Sequence, residues 1–157
     1  MATDNIFAGS ITCTDLTATG AVTFTGPCTI TGLRTIGNSV TAITAARVLT
    51  ALDSGGIFTV AQSSAYAVTL PTPTGAGLRF VLQLVSPGAN NITVAATGCT
   101  FEGTILQDVA TVPATGATFT FATGAAKLGD NIEFISTSAT KYFARAVTSD
   151  PAGITIA

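Results

Sequence analysis

Histidine and tryptophan are absent from the 157-residue chain, methionine occurs once, and charge is scarce. The missing histidine removes Ser-His-Asp and Cys-His catalysis, histidine-held metals and the commonest acid–base group near neutral pH. With no tryptophan and two tyrosines, a groove that stacks sugars is poorly provided for. Charged residues make up 9% of the chain, against about 25% in an ordinary soluble domain. A folded monomer of this size exposes roughly 7,000 Å². Six basic and eight acidic residues leave most of that area to Thr, Ser, Asn and Gly, or to covering by other subunits.

The formal net charge is −2. Arg34, Arg47, Arg79, Lys127, Lys141 and Arg145 are scattered singly, so no basic stripe exists for nucleic acid. No run of 18 apolar residues exists to span a bilayer. The opening "MATDNIFAGS" has Asp4 where an export signal carries basic residues, and no apolar core follows, which predicts a soluble chain not exported by that route. Cys13, Cys28 and Cys99 fit no zinc or Cys-x-x-Cys spacing, and no metal or cofactor is expected. Cys13 and Cys28 read as small buried hydrophobes, with a bridge between them left open.

What the chain does have is threonine in a repeat. Ile11-Thr12-Cys13-Thr14-Asp15 and Leu16-Thr17-Ala18-Thr19-Gly20 are followed by Val22-Thr23-Phe24-Thr25-Gly26 and Cys28-Thr29-Ile30-Thr31-Gly32. Each unit offers about four extended residues, roughly 13 Å, with apolar side chains on one face and threonines on the other. Strands this short bury too little alone and need neighbours to stack on. Copies of the chain can supply them, with Ile11, Leu16, Val22, Phe24, Cys28 and Ile30 as the expected oligomer or capsid contacts. A small meander folded on the chain's own body is the other arrangement. Either way, residues 1–45 read as an arm and 46–157 as a body.

Beyond the arm the pattern alternates with period two. "GIFTV", "AYAVTL", "LRFVLQLV", "NITVAA", "ATFTFA", "NIEFIS" and "KYFARAV" read as strands separated by turn residues in "PTPTGAG", "SPGANN", "VPATG" and "LGD". Such strands at roughly ten-residue spacing predict an all-β body, a β-sandwich or jelly-roll-like fold. The stretch Thr41 to Leu52 reads either as a short helix or as a bend leading into a strand.

Three features carry superficial chemistry. Ser54 in "LDSGG" has no base in reach of the sequence and reads as a turn. Asp130 and Glu133, with Glu102 and Asp108, are a nominal carboxylate set for glycoside hydrolysis, but Asp130 sits in a turn and Glu133 alternates with Ile132 and Phe134. Asn91-Ile92-Thr93 matches a glycosylation sequon and reads as a strand entry. No enzyme is expected.

Two segments resemble phage virion proteins. The Thr-Gly repeat is similar to runs near the N-termini of phage fibre and head-decoration proteins. Leu49-Thr50, Asp53-Ser54-Gly55, Thr69-Leu70-Pro71 and Ala76-Gly77-Leu78-Arg79-Phe80 resemble a module common in phage virion proteins, and Phe101–Ile105 continues it. The resemblance implies an all-β body, a homotrimer and no enzymatic activity. The expectation is a capsid decoration (cement) protein on the virion surface, contacting itself and the major capsid protein. A short head or tail fibre binding a host receptor or glycan is the alternative.

Overall fold

The computed structural model describes residues 40–108 and 110–157. The chain divides between residues 36 and 37, and the second unit is all-β: two packed sheets with a single 3-10 turn at Ala51–Asp53. Its strands are β1 (Val40–Ile43), β2 (Arg47–Val48), β3 (Ile57–Ala61), β4 (Tyr66–Leu70), β5 (Arg79–Ser86) and β6 (Ile92–Ala96). They continue with β7 (Thr100–Leu106), β8 (Thr111–Gly116), β9 (Thr118–Phe121), β10 (Asn131–Ser138), β11 (Lys141–Val147) and β12 (Ile154–Ile156).

The first six strands wind as a flattened coil. The chain crosses to the other sheet after each strand, so β1, β3 and β5 lie parallel in a seven-stranded sheet and β2, β4 and β6 lie parallel in a five-stranded one. The β10–β11 hairpin then inserts between β5 and β7, and the larger sheet runs β1-β3-β5-β10-β11-β7-β8. The smaller sheet runs β12-β9-β6-β4-β2. Pairing is therefore mixed, where jelly rolls are built from antiparallel strands.

All seven strands read from alternation are present within a residue or two of those bounds. Thr41–Leu52 is not a helix: it holds β1, a bend, β2 and the 3-10 turn, as expected for β-branched Val40, Thr41 and Ile43. "VPATG", read as a turn, lies within the edge strand β8. Pro113 is tolerated because it sits on the sheet's outermost strand, opposite Thr104.

Alternation fixes which side chains form the core. Phe80, Leu82 and Leu84 of β5, Ile132 and Phe134 of β10, and Tyr142 of β11 point between the sheets, against Val68, Ile92, Val94, Phe119 and Phe121. Each such burial contributes about 1.5–3 kcal/mol. The centre is aromatic: Phe101 lies 5.4 Å from Phe119 and 5.1 Å from Phe134, ring centre to ring centre, and Phe119 lies 5.6 Å from Phe134. Because Phe119 belongs to the smaller sheet and the other two to the larger, this triad joins the layers.

Polar groups in the interior are bonded. Gln62, 1% exposed, donates to the Phe121 carbonyl at 3.0 Å and accepts from the Gly88 amide at 2.9 Å. Both tyrosines donate to main chain, Tyr142 to Pro71 at 2.7 Å and Tyr66 to Ile43 at 2.6 Å. Burial pushes the Tyr142 phenol up to about 12, helped by neighbouring Cys99, and burial also raises Tyr66. The fold thus favours the neutral phenol. This stabilisation is complete below pH ~10 and is lost as pH rises through about 12. An absorbance titration at 295 nm should show no phenolate step near pH 10 while circular dichroism stays native. A reversible step there, with native dichroism, contradicts these burials.

Val40–Ile43, assigned to the arm from sequence, pairs with β3, and Ile43 is buried. A chain beginning at Ala46 loses that strand, the Ile43 side chain and the acceptor of the Tyr66 hydroxyl; one beginning at Gly37 keeps them. The shorter chain should melt about 10 °C lower than the longer one, for a loss of about 3 kcal/mol. Equal melting temperatures in calorimetry would show β1 to be dispensable.

Candidate interaction surfaces

The two outward faces of the sandwich differ in chemistry. On the five-stranded sheet, the residues alternating with the core are Val48, Ala67 and Thr69, then Thr93 and Ala95, then Thr118 and Thr120, then Thr155. Register aligns Ala67, Thr93, Thr120 and Thr155 in one row across four strands. This face carries no charged side chain. Neighbouring strands lie about 4.8 Å apart, so it forms a short-side-chain surface with hydroxyls and methyls interspersed.

On the seven-stranded sheet the outward positions hold Arg79, Glu133, Arg145, Glu102 and Lys141. Arg79 meets Glu133 at 2.6 Å, and Lys141 pairs with Glu102 on the adjacent parallel strand. Among them stand half-buried Val81 and Ile135 and the exposed ring of Phe143.

One end of the larger sheet is concave. A cleft of about 410 Å³ is lined by Leu106 at the end of β7 with Gln107 and Asp108 after it, by Leu128, Gly129 and Asp130 before β10, and by Val147 at the end of β11 with Thr148 and Ser149 after it. Its floor is a structural carboxylate. Asp130, 3% exposed, accepts from the Thr148 hydroxyl at 2.9 Å, the Lys127 amide at 2.9 Å, and the Ser149 amide and hydroxyl at 3.0 and 3.1 Å. The three bonds from Thr148 and Ser149 tie the β9–β10 turn to the loop after β11, and the Lys127 amide bond closes the turn itself.

The sequence-level chemistry resolves accordingly. The Ser54 hydroxyl accepts from the Arg79 amide at 3.0 Å, and Asp53 pairs with Arg47 at 3.1 Å, so "LDSGG" is a turn that anchors the start of β5. Hydrogen bonds from the Thr50 amide and hydroxyl hold the Asp53 carboxyl below its usual range, aided by Arg47. Asp130 is enclosed while Glu133 and Glu102 sit on the outer face in ion pairs, so the nominal carboxylate set is not gathered around a shared site. Asn91 accepts from the Thr123 amide at 2.7 Å. Cys99 is a buried thiol whose titration burial pushes up. Among the described residues no group of three Cys, Asp or Glu side chains converges to hold a metal.

The contacts expected of the arm, Ile11, Leu16, Val22, Phe24, Cys28 and Ile30, lie outside the described residues, as do Cys13 and Arg34. Sequence reading passed over Phe143 and Leu128, took Arg145 only as one of the scattered basic residues and weighed Asp108 only with the nominal carboxylate set. For β11 a signal was available: Lys141 and Arg145 mark its outer face, and Phe143 lies between them. The chain matches no family model, no curated protein and no solved structure.

Proposed function

We propose that the chain is a non-enzymatic structural protein of a virion, a decoration (cement) protein that sits on the capsid surface as a trimer. The supporting observation is the charge-free outer face of the five-stranded sheet. Such a face can lie on the major capsid protein without stranding a buried charge, whose removal from water costs several kcal/mol. Threonine hydroxyls satisfy polar groups across the contact while their methyls and Val48 exclude water. The carboxylates of the described residues argue for a structural part, since each of them is committed to the fold or to an ion pair, Asp108 excepted.

The test places charge on this face. Thr93→Lys and Thr120→Lys alter outward side chains in the middle of the sheet and leave the core intact. Each should weaken binding to particles assembled without the chain by at least about tenfold, and the particles should lose the heat resistance the chain confers. Unchanged binding by both variants overturns this contact. Binding to host cells by the isolated body, with no affinity for particles, favours the fibre reading instead.

A further inference from the structure

The outer face of the seven-stranded sheet holds an exposed aromatic ring beside a cation with no ion pair among the described residues. Alternation turns Phe143 and Arg145 outward on β11, about 7 Å apart along the strand. Phe143 is 43% exposed in the middle of the sheet. Arg145 stands opposite Glu133 in register, but that carboxylate is taken by Arg79 at 2.6 Å. Arg145 makes no ion pair among the described residues. An exposed aromatic with an arginine beside it, ringed by satisfied polar groups, is the composition of a protein-binding hot spot.

The complement is on the same chain. Asp53 is paired with Arg47, Asp150 with Lys127, and Asp130 is enclosed. Asp108 is exposed and has no ion pair among the described residues. It lines the 410 Å³ cleft, whose walls include Leu106, Val147 and the largely exposed Leu128. The same face therefore offers, among the described residues, an aromatic knob with a lone cation and, at its end, an apolar hollow with a lone carboxylate.

We propose that these surfaces bind each other between copies of the chain, Phe143 entering the cleft of the next copy and Arg145 reaching its Asp108. This rests on the reading of the chain as a homo-oligomer and names the contact that builds it. Leu106 and Val147 of the hollow alternate onto the same outer face as Phe143 and Arg145, so the hollow opens at one end of that face, and a head-to-tail contact of knob with hollow builds a ring when its rotation closes.

Sedimentation velocity on the full chain tests this, with near-ultraviolet dichroism confirming the fold of every variant. The wild type should sediment at three times the 15.6 kDa chain mass. Phe143→Ser and Arg145→Glu should each raise the concentration at which the ring dissociates at least about thirtyfold. Asp108→Arg should do the same. Combining Arg145→Glu with Asp108→Arg should recover at least tenfold of that loss. A wild-type ring indifferent to all three single changes overturns this contact and leaves the oligomer reading standing. Failure of the double variant to recover overturns the Arg145–Asp108 pairing. A wild-type monomer overturns the oligomer reading and the contact with it.

Discussion

Gly103→Ala should yield no folded body under conditions where the wild type is native. Gly103 sits in β7 opposite Ala144 of β11, and a Cβ built there would lie 1.8 Å from the Ala144 carbonyl oxygen and 2.8 Å from its carbon. These are main-chain atoms in the interior of a parallel ladder, so no side-chain rotation relieves the overlap. Separating β7 from β11 breaks the junction between the hairpin and the rest of the large sheet. The cost should exceed about 4 kcal/mol, a large part of the 5–15 kcal/mol typical of a whole domain. The readout is soluble yield and far-ultraviolet dichroism. A cooperative melt within 5 °C of wild type would show that the two strands do not pack as described.

Phe101→Ala should come second, destabilising by about 3–5 kcal/mol. The ring contacts aromatic groups from both sheets, with Tyr142 6.1 Å away in addition to Phe119 and Phe134. The edge-on contact with Phe119 and the tilted ones with Phe134 and Tyr142 add about 0.5–1.5 kcal/mol beyond the area they bury. Phe101→Leu keeps most of the volume and should lose only about 1–2 kcal/mol. Urea denaturation separates the two, since the midpoint should fall far more for alanine than for leucine. Equal midpoints would mean that the triad does not join the sheets.

Much of the body was legible because period-two alternation is a direct image of a two-layer core. The strands that escaped have physical reasons. β1 is four residues of small and β-branched side chains, and reads as a continuation of the threonine repeat. β8 contains proline, which removes a ladder donor and is compatible with a strand only at an edge, and edge position is a property of the assembled sheet. Strand order was equally out of reach, because parallel winding depends on crossings between layers that leave no trace in alternation.

The site was less legible. In "KYFARAV" both Tyr142 and Phe143 are large and aromatic, so hydrophobicity does not say which faces inward. The flanking Lys141 and Arg145 do, since they share the face of Phe143. Asp108 and Leu128 are 20 residues apart in the chain, and only the closing of β7, β10 and β11 at one end brings them to the same cleft.

The winding of the first six strands also has a consequence in time. β5 occupies the middle of the large sheet, yet its second neighbour is β10, whose first residue is Asn131. During synthesis at roughly 5–20 residues per second, the segment "RFVLQLV" waits for some seconds with one side unpaired. That side is a row of unpaired backbone N–H and C=O groups, on a segment with no acidic residue. Nascent chains on neighbouring ribosomes of one message present the same open strand. Crowded expression therefore favours strand exchange between unfinished copies, and fewer ribosomes on each message should raise the yield of correctly closed bodies.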